Sequence, residues 1–277
     1  MNLFKHRVIS ALIMIVTVIA TVFYAPTIVL HALLAFIFFL AAWEWAKLSS
    51  ITLNMAIFLL VINLALLFIL HSFILTENYP DNALKLAKMC FFPATMIWIM
   101  VAFYLSIYPR FSEFLTCRFS YALQAIVLFI PPWLGISFLH KFYAPLWLMF
   151  ILSCIWAVDI GGYCAGKLFG RYPLVPIISP KKTIEGVIGS ILSATLVTLI
   201  FNKILSSSQL IWGLTACIVL GSIVGDLFES AIKRLHAVKD SGNIIPGHGG
   251  VLDRIDSLLC AIPLACSYML YFRFDML

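Results

Sequence analysis

Residues 222–256, SIVGDLFESAIKRLHAVKDSGNIIPGHGGVLDRID, lie between two strongly apolar segments. The chain is 63% hydrophobic and only 11% charged, yet this stretch is dense in ionisable side chains and glycines. Because ionisable groups at membrane depth are costly, they usually mark a functional site. The mixture of acidic, basic and glycine residues indicates a metal-assisted site for phosphate chemistry. Its charged members are Asp226, Glu229, Lys233, Arg234, Lys239, Asp240, Asp253, Arg254 and Asp256.

Helical spacing places these charges on defined faces. If the preceding apolar helix continues, Asp226, Glu229, Ser230 and Lys233 fall at i, i+3, i+4 and i+7 on one face. At the start of the next helix, Asp253 and Asp256 repeat the i, i+3 relation, so the two carboxylate pairs can converge on Mg²⁺, which prefers oxygen ligands. Nearby Lys and Arg side chains could hold phosphate oxygens. Alternatively, the charges pair only with one another in a cytoplasmic loop, which is common beside membrane helices.

The rest of the chain is typical of an all-α polytopic membrane protein. Mean hydropathy is +1.07, and apolar runs long enough to span a bilayer recur throughout. Backbone polar groups in lipid must be satisfied within the segment, and the runs lack the alternation of a barrel, so we predict helices. We predict about nine transmembrane helices, with the first retained rather than cleaved. They lie at about 8–24, 27–46, 51–70, 87–105, 121–139, 144–162, 184–201, 210–228 and 255–272.

Lysine and arginine positions predict the orientation. With the N-terminus in the cytoplasm, the inside segments hold 13 basic residues and the outside segments hold 5. The difference disappears when the eight basic residues of the two motif-bearing loops are removed, so the orientation rests on the basic N-terminus and on those loops. In the segment AAWEWAKL, we expect Trp43 and Trp45 to form an interfacial belt, with Glu44 and Lys47 facing water.

A second polar constellation occupies residues 159–186, DIGGYCAGKLFGRYPLVPIISPKKTIEG. Its glycines allow close helix packing or a tight turn. Ser179 and Pro180 predict a helix start, with Ser as N-cap and Pro at the first position. Lys181 and Lys182 would then lie at a helix N-terminus, where a bound phosphate would relieve their conflict with the helix dipole. Alternatively, the two lysines are simple positive-inside anchors.

Both constellations resemble those of the phosphatidate cytidylyltransferases, also called CDP-diacylglycerol synthases. That family carries Asp-x-x-Ala-Tyr, Ser-Pro-Lys-Lys-Thr-x-Glu-Gly, a Ser followed by Lys-Arg, Lys-Asp, Pro-x-His-Gly-Gly and Asp-Arg-x-Asp. This chain departs from the pattern at Gly162, where Ala is commoner, and at Ser190, where Gly is frequent. The matching residues are Asp159, Tyr163, Ser179–Gly186, Ser230, Lys233, Arg234, Lys239, Asp240, Pro246–Gly250 and Asp253–Asp256. The resemblance is specific over about 156–258.

The resemblance implies a definite reaction, in which CTP and phosphatidic acid give CDP-diacylglycerol and pyrophosphate. It implies Asp226 and Asp253 as ligands of Mg²⁺, with room for a second cation such as K⁺, and we add Asp256 to the metal set. Lys233, Arg234, Arg254 and His248 would complete the catalytic group together with Asp226 and Asp253. The substrate-binding residues would be Asp159, Tyr163, Ser179, Lys181, Lys182, Thr183, Glu185, Glu229, Ser230, Lys239, Asp240, Gly249 and Gly250.

The expected architecture is one integrated membrane domain. Residues 1–143 would be mainly scaffold, with lipid or dimer contacts, and residues 144–277 would hold a polar catalytic cavity facing the cytoplasm of a bacterial inner membrane. The family implies a homodimer in a lipid bilayer, and we expect no nucleic-acid partner.

Two other functions fit parts of the pattern. A membrane kinase of a polyprenol would share CTP chemistry but transfer the γ-phosphoryl group. An ion-coupled transporter could bind cations through Asp159, Asp226 and Asp253, although we find no repeated halves. A CDP-alcohol phosphatidyltransferase is not favoured, because the spacing D-G-x-x-A-R is absent from the chain.

Overall fold

The computed structural model describes residues 2–48, 80–108, 118–205, 209–245 and 249–274. Within these ranges the chain forms eight helices and one two-stranded hairpin. The elements are α1 (Asn2–Tyr24), α2 (Thr27–Leu48), α3 (Pro80–Ser106), α4 (Arg118–Phe142), α5 (Pro145–Phe169), β1 (Pro173–Val175), β2 (Ser179–Thr183), α6 (Ile184–Leu205), α7 (Leu210–Leu235) and α8 (Leu252–Tyr271).

The helices agree with the predicted all-α polytopic class. Six of them, α2 to α7, are long and apolar enough over the described residues to cross a membrane. The other two, α1 and α8, correspond to the first and last predicted segments, and α8 carries Asp253, Arg254 and Asp256 in its first turns. The predicted segment 51–70 lies outside the described residues, so the number nine stays a prediction.

The expected interfacial belt on α2 is wrong. Trp45 is 1% exposed and packs against the rings of Tyr121, Phe129 and Phe228, with centroids 6.0–6.5 Å apart. Glu44 is also only 1% exposed, whereas Lys47 faces outward. The reason is that the end of α2 is enclosed by α4, α7 and α8 rather than by solvent, so only one side of the helix remains free.

Contacts between helices fix the direction in which each one runs. The end of α2 meets the start of α4 through Trp45 and Tyr121, and the opposite end of α4 meets the end of α1, where His140 Nε2 lies 3.3 Å from the Val22 carbonyl. In α3, Phe91 packs against Phe138 near the end of α4. The bundle therefore has two distinct ends, and the starts of α4 and α8 and the ends of α2 and α7 share one of them.

Small residues bring α5 and α6 into close contact, as the glycine pattern predicted. A Cβ on Gly161 or Gly189 would collide with the backbone of the other helix. Ser190 Oγ donates to the Val158 carbonyl at 2.8 Å, and Ser193 Oγ donates to the Ala157 carbonyl at 2.6 Å. In lipid the hydrophobic effect contributes little to the association of helices, so close packing of small residues and hydrogen bonds between helices drive it instead.

The helix start predicted at Ser179 is wrong. Residues 179–183 form β2, which pairs antiparallel with β1, so that Pro173 faces Thr183 and Val175 faces Ser179. The helix begins five residues later, where Thr183 Oγ1 accepts the Gly186 N–H at 3.1 Å as an N-cap does. Pairing with β1 keeps the chain extended from Ser179 to Thr183, so Thr183 supplies the cap instead of Ser179.

Candidate active site

A cavity of about 770 Å³ opens between α5, the hairpin, α6, α7 and α8. Its walls bring together the two sequence stretches that were singled out separately, 159–186 and 222–256. Five acidic and five basic side chains line it, which gives a balanced mixture of charges. They are Asp159, Asp226, Asp240, Asp253 and Asp256, and Lys167, Lys181, Lys182, Lys233 and Arg254; the wall also includes Tyr163, Thr183, Ser222 and Ser257.

Three carboxylates converge in this cavity from three helices. Asp159 of α5, Asp226 of α7 and Asp256 of α8 are close enough to repel one another. Ser257 links two of them, because its hydroxyl donates to Asp159 Oδ1 at 3.0 Å and its N–H donates to Asp256 Oδ1 at 2.7 Å. Within the described ranges, no group of three or more His, Cys, Asp or Glu side chains is arranged so that it could hold a metal ion by itself.

Asp226 has a cationic partner inside the cavity. Lys182 Nζ, carried by β2, lies 2.6 Å from Asp226 Oδ2, and Ser230 Oγ donates weakly to Oδ1 at 3.4 Å. The lysine and the aspartate keep 24% and 33% of their side-chain surface exposed. The hairpin therefore brings Lys182, which we predicted to bind phosphate, against one of the predicted metal ligands, and both side chains remain partly exposed in the cavity.

Asp253 is bound on both oxygens. Oδ1 accepts from Lys233 Nζ at 2.7 Å, and the Ser241 N–H lies 3.2 Å from Oδ1 and 3.0 Å from Oδ2. Oδ2 also accepts the Gly250 N–H at 2.8 Å. Lys233 in turn lies 2.6 Å from the buried Glu229. Asp253 thus joins α7, the following loop and α8.

The glycines of the loop before α8 have a steric role. Gly249 has a φ of 85°, a conformation that side chains with a Cβ rarely adopt. A Cβ on Gly250 would collide with Ser241 and Glu44. Pro246, Gly247 and the predicted catalytic residue His248 lie outside the described residues. The two described glycines let the backbone turn tightly and approach Asp253.

Several predicted site residues support the cavity from outside its wall. Arg234 Nε donates to the Ile178 carbonyl at 3.1 Å, so its guanidinium tethers the hairpin. Glu185 accepts the Tyr172 N–H at 3.3 Å beside the same hairpin. Lys239 is exposed beyond the cavity. The predicted site residues that do not line the cavity are Ser179, Glu185, Glu229, Ser230, Arg234, Lys239, Gly249 and Gly250.

A smaller cavity of about 310 Å³ lies behind the loop, and Asp240 lines both cavities. His236 borders it, and its Nε2 lies 2.5 Å from the Tyr121 hydroxyl. Burial lowers the pKa of His236 from its ordinary value, which favours the neutral ring. A neutral Nε2 can accept a hydrogen bond from the Tyr121 hydroxyl, so this contact fastens the end of α7 to the start of α4.

Sequence reasoning missed Glu44 and Ser257 as parts of the site. Ser257 directly follows the Asp-Arg-x-Asp motif, but a serine at that position does not by itself indicate a functional role. The sequence does indicate Glu44, because it is a carboxyl group within the apolar run of α2, where ionisable residues usually mark a functional site.

Comparison with known proteins is consistent with this geometry. A family model described as the cytidylyltransferase family matches residues 5–272. The phosphatidate cytidylyltransferase of Haemophilus influenzae is 31% identical over 287 positions, which cover 97% of this chain and 99% of that protein. Proteins of the same name from Staphylococcus epidermidis and Staphylococcus aureus are 41% and 39% identical over 155 positions, covering 53% of this chain and 59% of theirs.

Proposed function

Because the chain belongs to the cytidylyltransferase family, we propose that it is a phosphatidate cytidylyltransferase, which converts CTP and phosphatidic acid to CDP-diacylglycerol and pyrophosphate. One structural observation supports this activity for the residues of this chain. The two motif-bearing stretches line a single cavity that contains both acidic and basic side chains. An enzyme that joins two phosphate-bearing substrates needs both kinds of side chain.

In the proposed reaction, an oxygen of the lipid phosphate attacks the α-phosphorus of CTP. A new phosphorus–oxygen bond forms, the bond from the α-phosphorus to the oxygen bridging to the β-phosphorus breaks, and pyrophosphate leaves. The attacking oxygen is already anionic near neutral pH, so no general base is required. Charge develops on the transferred group and on pyrophosphate. Lys181, Lys182, Lys233 and Arg254 line the cavity and are suited to stabilise it.

We propose that a divalent cation such as Mg²⁺ binds on one side of the cavity. Asp226 and Asp256, which line the cavity together with Asp159, would hold it jointly with phosphate oxygens of the substrates, because Mg²⁺ is usually bound by one or two carboxylates plus substrate phosphates. When bound, the cation would neutralise phosphate oxygens, and a second cation such as K⁺ could share the site. Asp253 could join only by giving up hydrogen bonds from Lys233, Ser241 or Gly250.

The assay that tests this function uses purified protein, phosphatidic acid vesicles and CTP labelled in the cytidine, with and without Mg²⁺. We expect cytidine label in the lipid product, at a rate that depends on the cation. In a parallel assay with CTP labelled in the γ-phosphate, label that enters the lipid would instead identify a kinase. Ion flux through reconstituted protein without any lipid product would support the transporter.

We further propose that the cavity faces the cytoplasm of a bacterial inner membrane, where CTP is available, and that the enzyme is a homodimer. The orientation is supported by charge, because more basic residues lie at the cavity end of the bundle than at the other end. At the cavity end are Lys47, Lys167, Arg171, Lys181, Lys182, Lys233, Arg234, Lys239 and Arg254. At the other end are Lys85, Lys88, Lys141, Lys203 and Arg273. Lysine and arginine favour the cytoplasmic side.

Single cysteines on either side of α8 test the orientation. On a background without the native cysteines, Asn243→Cys should resist an impermeant thiol reagent in intact cells, whereas Arg273→Cys should react. Asn243 and Arg273 are both exposed, so access to the reagent is limited only by the membrane. Permeabilised cells provide the control, in which both cysteines should react. Reaction of Asn243→Cys from outside intact cells would invert the orientation.

Lys182 tests whether the hairpin lysines bind phosphate. Lys182→Ala should lower kcat/KM by roughly ten- to a thousandfold, equivalent to about 1.4–4 kcal/mol, because its ammonium lies at the cavity beside Asp226. Lys182→Arg should restore only part of the activity, since a planar fork does not replace a compact ammonium. Lys203→Ala, at the far end of α6, is the matched control. Unchanged kinetics in Lys182→Ala would leave phosphate binding to Lys233 and Arg254.

A further inference from the structure

Glu44, in the N-terminal part of the chain, contacts the loop that joins α7 to α8. We call this loop, of which residues 236–245 and 249–251 are described, the catalytic loop. Glu44 lies on α2, is 1% exposed, and has no place in the motifs of the C-terminal half. Its Oε2 accepts the Leu252 N–H at 2.8 Å and the Ser241 hydroxyl at 3.2 Å. Leu252 is the first residue of α8, whose first N–H groups have no partner within the helix. A carboxyl group from a distant helix therefore caps α8.

The loop is shaped around this carboxyl group. A Cβ on Gly242 would collide with Glu44 Oε1, and a Cβ on Gly250 would meet Oε2 and the Ser241 hydroxyl. Ser241 and Gly250 are also the two residues whose N–H groups bind Asp253. Glu44 and Asp253 thus hold the same short segment of backbone, Glu44 from α2 and Asp253 from α8.

We propose that Glu44 is a positioning residue for the catalytic loop, and this inference rests on the proposed function. By holding Ser241 and the start of α8, it sets where Asp253 meets Lys233, and Lys233 lines the cavity. Asp240, next to Ser241, lines the cavity as well. A shift of about 1 Å at such a site can cost on the order of a hundredfold in rate.

Two conservative variants distinguish the effect of the length of the Glu44 side chain from the effect of its charge. Glu44→Gln keeps one carbonyl acceptor that can hold Leu252 and Ser241, and its amide would occupy the place of Oε1, which has no hydrogen-bond partner among the described residues. Glu44→Asp keeps the carboxyl group but is one methylene shorter, so it cannot reach both donors. We therefore expect kcat to fall about threefold to tenfold in Glu44→Gln and on the order of a hundredfold in Glu44→Asp, with both KM values within about threefold.

A second measurement does not depend on activity. Hydrogen exchange of the amides of residues 249–256 should be about tenfold faster in Glu44→Asp, because the loop and the start of α8 lose their tether. Phe38→Leu is the control: Phe38 is buried on the same helix, six residues before Glu44, and packs against the ring of Phe129 on α4. It should lower the melting temperature while leaving kcat and the exchange of 249–256 unchanged.

The outcomes separate this inference from the proposed function. Wild-type kcat and wild-type exchange in Glu44→Asp would overturn the positioning role while leaving the activity intact. The role would also be overturned if Phe38→Leu, at an equal loss of thermal stability, lowered kcat as much as Glu44→Asp, because Glu44 would then act only through global stability. If the wild-type chain made no CDP-diacylglycerol, the proposed function would fail, and the exchange measurement would still decide whether Glu44 holds the loop.

Discussion

Asp226→Asn is expected to lower kcat by about a thousandfold or more while the protein folds normally. The residue is one of three converging carboxylates, and its loss would remove a ligand for the cation that neutralises the transferring phosphate. Its partner Lys182 is partly exposed, so the ion pair contributes only about 0–1 kcal/mol to folding. Removing one of three neighbouring carboxylates also relieves repulsion, which should offset part of the folding free energy lost with the ion pair.

Turnover and thermal unfolding, measured on the same purified sample, test this expectation. Turnover should nearly vanish, and the melting temperature should stay within a few degrees of wild type. Lys182→Ala provides the comparison, because it breaks the same ion pair but leaves the carboxylate in place. Substantial activity in Asp226→Asn would remove Asp226 from the metal site, and an unfolded protein would show that the ion pair is structural.

Both polar stretches were predictable from sequence, because charged residues in an apolar chain are conspicuous. The helical face of Asp226, Glu229, Ser230 and Lys233 was predicted correctly, since a helix spaces them regularly. The i, i+3 pair at the start of α8 was also correct. Helical periodicity does not predict which charged side chains pair with one another. Asp253, for example, binds Lys233, which lies 20 positions away in the sequence.

The hairpin shows where local signals mislead. Ser-Pro is a common helix start, but an extended Ser179 fits a strand as well as it fits an N-cap. The choice depended on the pairing of Val175 with Ser179 and on the tether from Arg234 to Ile178. The tether is a contact 56 positions apart in sequence, so no short window reveals it.

The two departures from the family pattern prove to be spatial neighbours. A Cβ on Gly162 would collide with Ser190 Oγ, so an alanine at 162 would force the serine hydroxyl at 190 out of its present position. In return, Ser190 donates to the Val158 carbonyl. The two positions are therefore coupled by packing, although they are 28 positions apart in the sequence.

Asp253→Asn should lose turnover as Asp226→Asn does, but it should also destabilise the fold, and this difference separates the two residues. The Asp253 side chain is 5% exposed, and both its oxygens accept hydrogen bonds from the ammonium of Lys233 and the N–H groups of Ser241 and Gly250. An asparagine keeps one acceptor and turns an amide donor toward one of these donors. Breaking a buried ion pair on one side costs about 3–5 kcal/mol.

The comparison of the two asparagine variants therefore assigns their roles. Chemical or thermal unfolding should show a clear loss of stability for Asp253→Asn and almost none for Asp226→Asn, and residues 240–256 should exchange amide hydrogens faster only in the first. If Asp253→Asn instead lost turnover at wild-type stability, its contact with Lys233 would contribute little to the fold. Asp253 would then belong with Asp226 as a direct cation ligand, as the family resemblance implies, and Lys233 would be free to turn toward the substrate phosphates.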